Sequence, residues 1–351
     1  MAIISGIFLV EERVQSCAHS PKIHEAMGCA TSTPKEDAVM QTIVVIGATG
    51  AQGGGVVRTL SAKGGYAIKA VTRKMESEKA KALAALPNVS LISADLDDDA
   101  SLMAAFSGAY GVFLVTNFWE HFSAAKEVEQ CKKVAAAAKA AGVAHVVWST
   151  LEHTPSFGAG DTIPDIDNHG TKYKVPHFDG KGLGDAEFKA AGVPTTYLLT
   201  SFYWDNMIYF GMGPKKGEDG QYAITFPQDP ETVLPGIAAQ DIGACAAGIF
   251  ADPSLIGQTI GITGEKLTCG AMAEKMSKAL GVEVKFNSVP ADVYRSFGFP
   301  GADDLGNMFQ WQAENNADFC SRRDVAVSKR LHPGMLDFDA WLAQHGKSIP
   351  M

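Results

Sequence analysis

The stretch Thr42-Ile-Val-Val-Ile46, followed without a break by Gly47-Ala-Thr-Gly50-Ala-Gln-Gly53, decides how this chain folds. Its β-branched run reads as a buried strand, the glycines as a turn, and Gly53 to Lys63 as a helix. A second apolar run, Ala67-Ile-Lys-Ala-Val-Thr72, follows where the next strand of a strand-helix-strand unit belongs. Glycines in such a turn let backbone N–H groups press against a pyrophosphate, and the helix beyond turns the positive end of its dipole to the same charge. Gly47, Ala48, Thr49, Gly50, Ala51, Gln52 and Gly53 are therefore the candidate phosphate cradle. Their spacing is GxxGxxG, and a glycine triplet alone also arises in turns that bind nothing; the flanking strands give it weight.

The second strand ends in Thr72-Arg73-Lys74. A fold selecting NAD offers a carboxylate there to the ribose 2′-hydroxyl, whereas NADP(H) needs a cation for its 2′-phosphate. Arg73 can grip a phosphate in a two-pronged fork and stack on adenine, with Lys74 as a helper, so the cofactor expected is NADP(H). Two solvated surface cations would read the same way. Asp95, after the third strand, is a candidate acceptor for adenine N6, and Thr116-Asn117, after the fourth, approach the ribose or nicotinamide.

The chain has 351 residues, 46% of them hydrophobic, which suits a soluble globular α/β protein. A net charge of −9 argues against nucleic-acid binding, because a phosphate backbone would be repelled. Six scattered cysteines offer neither a disulfide framework nor zinc-ligand spacing, and Asp97-Asp98-Asp99 read as a solvated turn, so no metal is expected. Residues 1–40 show no sustained period and read as a mobile extension. Within them, Met27-Gly28-Cys29-Ala-Thr-Ser32 fits N-myristoylation beside a palmitoylatable cysteine, but only if synthesis began at Met27. A cytoplasmic location is expected, with the nucleus also open, and no membrane contact unless that start is used.

Strand-like runs at Val89–Ser93, Gly111–Thr116 and His145–Ser149 alternate with helical stretches, the pattern of a Rossmann-type, doubly wound parallel sheet. The expected unit spans 41–345. Its core covers about 41–200 with parts of 235–265, and a smaller C-terminal α/β lobe runs from about 201 to 345. Between Thr154 and Pro176 the pattern dissolves into Pro, Gly, Asp and Asn, which reads as a mobile lid or partner-binding loop. The Phe297 to Trp311 stretch reads as lobe core, with a homodimer or partner surface as the alternative.

Reductases of this architecture give a proton from a Tyr to the developing alkoxide, helped by a Lys one helical turn later. Here that place reads His177-Phe-Asp-Gly-Lys181, which keeps the spacing and changes the acid. A His with an unperturbed pKa of about 6.5 can itself serve as an acid near neutrality. Lys181 is thus a cofactor contact and, with His177, a candidate catalytic residue; a plain helix-start histidine is the other reading. Gly180, Gly182 and Gly184 are costly in a helix unless a backbone or a ligand comes close, which favours a functional role. Ser149 and Thr150 could polarise a carbonyl or simply cap a strand, and Tyr203 to Asn206 add an aromatic and an amide at the same sheet edge.

Taken together, Val45 to Gly54, Val71-Thr-Arg73, Val115-Thr-Asn-Phe-Trp-Glu120, His177 to Gly182 and Phe299 to Phe309 resemble the NmrA-like family over about residues 42–345. The resemblance is closest to its NADPH redox-sensor branch, atypical short-chain dehydrogenase relatives that lack the tyrosine and mostly act as regulators. It implies cofactor contacts at Gly47 to Gly53, Arg73, Thr116, Asn117, Lys181, Tyr203 and Asn206. It also implies partner binding through the 154–176 loop and the helix after it. Glu129 departs from the branch, which has a basic residue there. Two functions stay open: an NADPH sensor with little or no activity, and an NADPH-dependent reductase of quinones or carbonyls using Lys181 or His177.

Overall fold

The structure, a computed structural model, describes residues 40–351. The Met27 acylation reading and the rest of the extension up to Val39 lie outside the described residues. From Gln41 the chain alternates β1 (Gln41–Val45), α1 (Ala51–Lys63), β2 (Tyr66–Thr72), α2 (Glu78–Ala84), β3 (Val89–Ser93) and α3 (Asp99–Phe106). It continues through β4 (Gly111–Leu114), α4 (Phe118–His121), α5 (Ala124–Ala140) and β5 (His145–Thr150). A hairpin, β6 (Ile166–Asn168) and β7 (Thr171–Tyr173), precedes α6 (Pro176–Ala191) and β8 (Thr195–Leu199).

The remaining elements are β9 (Phe202–Tyr203), α7 (Asn206–Tyr209), β10 (Lys215–Lys216), β11 (Tyr222–Phe226), β12 (Val233–Ile237), α8 (Ala239–Phe250) and β13 (Thr259–Gly261). Then follow β14 (Glu265–Thr268), α9 (Cys269–Leu280), β15 (Val284–Ser288), α10 (Ala291–Arg295) and α11 (Ala302–Glu314), with shorter helices to the end.

Seven parallel strands form the central sheet in the order β13-β8-β5-β4-β1-β2-β3. Both faces are covered, which is why β1 reads as a continuous apolar run: Ile43, Val44 and Val45 are all buried. On one face α1 and α8 contribute Val56, Val57, Leu60 and Ile242; on the other, α3, α5 and α6 contribute Leu102, Phe106, Val134 and Phe188. Strand order reverses between β1 and β4. The carboxyl ends of the strands at such a reversal are the place where open α/β sheets take their ligands.

Two three-stranded sheets, β10-β11-β15 and β14-β12-β9, build a second core around Trp204, Phe309, Trp311 and Trp341. The aromatic tail therefore enters the core at Phe309 and Trp311, while Phe297 and Phe299 stay exposed. The expected patternless loop at 154–176 is instead a 3₁₀ turn, Thr154–Phe157, followed by the β6–β7 hairpin. His169 and Gly170, with φ of 55° and 84°, make the tight reverse turn. Asn168 accepts from the Ala124 amide at 2.9 Å and donates to the Phe122 carbonyl at 2.8 Å. Asn307 donates to the carbonyls of Pro164 and Lys174. Polar side chains fasten this segment, and hydrophobic periodicity carries no trace of them. Among the described residues no helix is long and apolar enough to cross a membrane.

Candidate functional site

The glycine turn sits at the carboxyl end of β1, beside the strand-order reversal. Gly47 has φ of 71°, and its carbonyl accepts from the Gly50 amide at 2.9 Å. A Cβ on Gly53 would collide with the backbone of Gly47 and Ala48, so only glycine lets α1 start this close to the turn. No side chain caps α1 and its first turn holds no acid, which leaves its amide dipoles uncompensated. Gln52 is buried, donates to the Tyr203 hydroxyl, and keeps a buried Oε1 with no partner. Tyr203 in turn meets Thr200 Oγ1 at 3.2 Å, which ties the turn to the end of β8. The uncapped backbone N–H groups of this small cradle fit a pyrophosphate-bearing ligand, while the orphaned Gln52 oxygen is an acceptor that calls for a donor such as a hydroxyl.

At the end of β2, Arg73 and Lys74 are exposed. Arg73 is engaged: Nη1 and Nη2 donate to the two carboxylate oxygens of Glu120 in α4, at 2.6 and 2.8 Å. Those hydrogen bonds hold the Glu120 carboxyl below its ordinary range. Asp95 Oδ1 accepts from the Asp97 amide at 3.0 Å, a local turn at the end of β3.

Lys181 is buried on α6 and points back to the end of β4. Its Nζ donates to the Thr116 carbonyl at 3.2 Å, to Thr116 Oγ1, and to Glu127 Oε2 at 2.7 Å. Thr116 Oγ1 also donates to Glu127 Oε2 at 2.6 Å. Burial alone would raise the Glu127 carboxyl; Lys181, His121 and Thr116 overcome it and hold the group down at about 2. The indole of Trp148 lies 5.3 Å from the same ammonium. Asn117 is exposed, and its carbonyl accepts from the Glu120 amide as α4 begins.

His177 opens α6 but engages a different partner: Nδ1 meets Asp304 Oδ1 of α11 at 2.6 Å, and its amide donates to Asp304 Oδ2. Its ring packs on Trp119 at 4.9 Å and Phe178 at 4.8 Å. His177 and Lys181 thus share a helix face without sharing a partner. The close approach expected at Gly180, Gly182 and Gly184 is supplied by protein: added Cβ atoms would strike Ala124, the His153 backbone and Cys131. Thr150 donates to Asp185 at 2.7 Å, beside Trp148 Nε1 at 2.9 Å, and is not aimed at a carbonyl substrate. Burial lifts Asp185 to about 6 despite those two hydrogen bonds. Asn206 is half-buried and opens α7, where its carbonyl accepts from Phe210. Glu129 bridges to Lys126 at 3.2 Å.

The sequence reading missed Glu120, Glu127 and Asp304. Glu127 left a legible signal. Ala124, Glu127, Cys131, Val134 and Ala138 fall at alternating steps of three and four, so a carboxylate occupies the buried stripe of α5.

A seven-stranded parallel sheet wound in this order, with an uncapped glycine turn at the reversal, defines a Rossmann-type dinucleotide fold. The sequence model of the NmrA-like family matches residues 40–342, and the chain belongs to that family. The nitrogen metabolite repression protein nmrA of Emericella nidulans is 28% identical over 258 residues, spanning 71% of this chain and 68% of its own. The crystal structure of NmrA, a negative transcriptional regulator, in complex with NADP superposes with a TM-score of 0.71 at 23% identity, covering 87% of this chain and 94% of that one. The Citrobacter sp. triphenylmethane reductase complexed with NADP(H) gives 0.67 at 18% identity, covering 87% and 99%. These structural likenesses establish the fold.

Proposed function

We propose that this protein binds NADP(H) along the carboxyl edge of its central sheet and acts as a redox-responsive regulator with little or no dehydrogenase activity. The observation that carries the reading is the inward engagement of Lys181 at a site with no tyrosine. Lys181 donates to Thr116 and Glu127 and not towards the space a substrate would take. A reductase needs a group aimed at the developing alkoxide. Here the polar groups hold one another.

In this reading Gly47 to Gly53 take the pyrophosphate, Arg73 with Lys74 the 2′-phosphate, and Asp95 the adenine. Thr116, Asn117, Tyr203 and Asn206 face the ribose and nicotinamide end, with Lys181 bracing Thr116. A bound nicotinamide supplies hydride when reduced. NADPH and NADP+ carry the same 2′-phosphate, so redox sensing has to arise at the Thr116 to Lys181 end. Useful switching of a balanced equilibrium needs roughly tenfold discrimination, about 1.4 kcal/mol. The 154–176 segment and α6 are the surface assigned to a protein partner, with the cytoplasm, and the nucleus as a second site, as the compartment.

The His177–Asp304 pair favours a second reading, since a carboxylate on Nδ1 fixes an imidazole as it would in an acid–base catalyst. On that reading the protein reduces quinones or carbonyls. Single-turnover oxidation of bound NADPH against a panel of quinones and aldehydes separates the two. Tight binding with no oxidation above background is expected. Oxidation abolished by His177→Ala or Lys181→Ala would replace the regulator with a reductase.

A further inference from the structure

Arg73 offers two parallel N–H groups to two carboxylate oxygens, the same fork that it would offer a phosphate. Glu120 therefore stands where a ligand's 2′-phosphate would pair. Side-chain exposures of 55% and 45% make this a weak bridge open to exchange. Glu120 comes from α4, four residues long, whose end at Phe122 adopts a left-handed φ of 52°. Its neighbour Trp119 leans on His177 and on Gly301, which precedes α11. Whatever moves Glu120 pulls on the segment that packs against the His177–Asp304 pair.

We propose that Glu120 is a specificity-determining latch, an internal carboxylate that occupies the Arg73 fork and is displaced by the 2′-phosphate of NADP(H). The inference rests on the assignment of Arg73 to that phosphate. NAD(H) has no such group and leaves the latch closed. The latch reads the presence of the 2′-phosphate and not the redox state of the ring. Its release is passed along α4 to Trp119. The carboxylate lowers the affinity for NADPH twice over, by holding the cation and by repelling the incoming dianion.

The test titrates wild type, Glu120→Gln, Glu120→Ala and Arg73→Ala with NADPH, NADH, 2′,5′-ADP and 5′-AMP, with thermal melts to show that each variant is folded. Removing the carboxylate is expected to tighten NADPH and 2′,5′-ADP by about threefold to tenfold, and NADH and 5′-AMP by less than about twofold. Trp119 is the one exposed tryptophan of the five and serves as reporter. In wild type 2′,5′-ADP should change its emission and 5′-AMP should not, and Trp119→Phe should lose the response. Unchanged or weakened NADPH binding in both Glu120 variants overturns the latch while leaving the cofactor site standing. No NADPH binding by wild type, or full affinity in Arg73→Ala, removes the site assignment and the latch together.

Discussion

Two cation–carboxylate pairs face the carboxyl edge of the same sheet, and water separates their behaviour. Arg73 and Glu120 lie half in solvent, whereas Lys181 and Glu127 have side-chain exposures of 11% and 0%. In water the attraction of an ion pair is largely offset by hydration, so the outer pair can trade partners at small cost. The inner pair has no water to return to, and parting it strands a charge. One end of this sheet edge is thus exchangeable and the other fixed. A ligand's phosphate can compete at the first, while the second serves as a rigid floor.

The largest expected effect breaks the inner pair. Glu127→Ala leaves the Lys181 ammonium buried without its counter-ion and should cost about 3–5 kcal/mol, read from urea unfolding midpoints. An unchanged midpoint would mean that water reaches Lys181 and that the two pairs are alike. Replacing both residues by apolar ones should recover most of the loss. The pH sign is fixed as well. The folded Glu127 carboxyl lies near 2 against 4.5 for its ordinary value, so its stabilisation is complete above about 4.5 and disappears as pH falls through about 2. Glu127→Gln should flatten acid unfolding in that window.

At the outer pair, Arg73→Glu should leave the melting temperature nearly unchanged yet weaken NADPH on the order of 100-fold, while NADH changes little. A large stability loss with no change in NADPH binding would invert the comparison. A smaller effect sits one helical turn beyond Lys181. Asp185 is lifted to about 6 from 3.8 by burial, with Glu152 adding to the rise and Lys189, Thr150 and Trp148 opposing it. A raised folded value means that its contribution to stability is full below about 4 and lost as pH rises past about 6. Asp185→Asn keeps an oxygen for both donors and should exceed wild type by roughly 1–3 kcal/mol above pH 6, with no difference below pH 4. Equal curves would place Asp185 in better contact with water than its packing indicates.

How much of this was legible follows from which interactions are local. The β1 run, the glycine turn, α1 and Arg73 at the end of β2 lie within some thirty residues, and steric rules for glycine and β-branched residues act over that range. Strand and helix alternation likewise predicts the parallel sheet. The glycines of α6 mark a close approach, but what approaches is α5 and the chain after β5, which no local rule identifies. The 154–176 segment defeated the reading because its order comes from single polar contacts with Ala124, Phe122 and Asn307.

By itself, then, the sequence determined the doubly wound sheet, the phosphate-sized turn and the cation beyond β2, because backbone sterics and hydrophobic period are properties of neighbours in the chain. Only the tertiary structure decided who holds those charges. Glu120 reaches Arg73 across 47 positions, Lys181 reaches Glu127 across 54 and His177 reaches Asp304 across 127. Whether a carboxylate is a solvated surface charge or a fixed counter-ion depends on the water that packing removes around it, and packing is set by the whole fold.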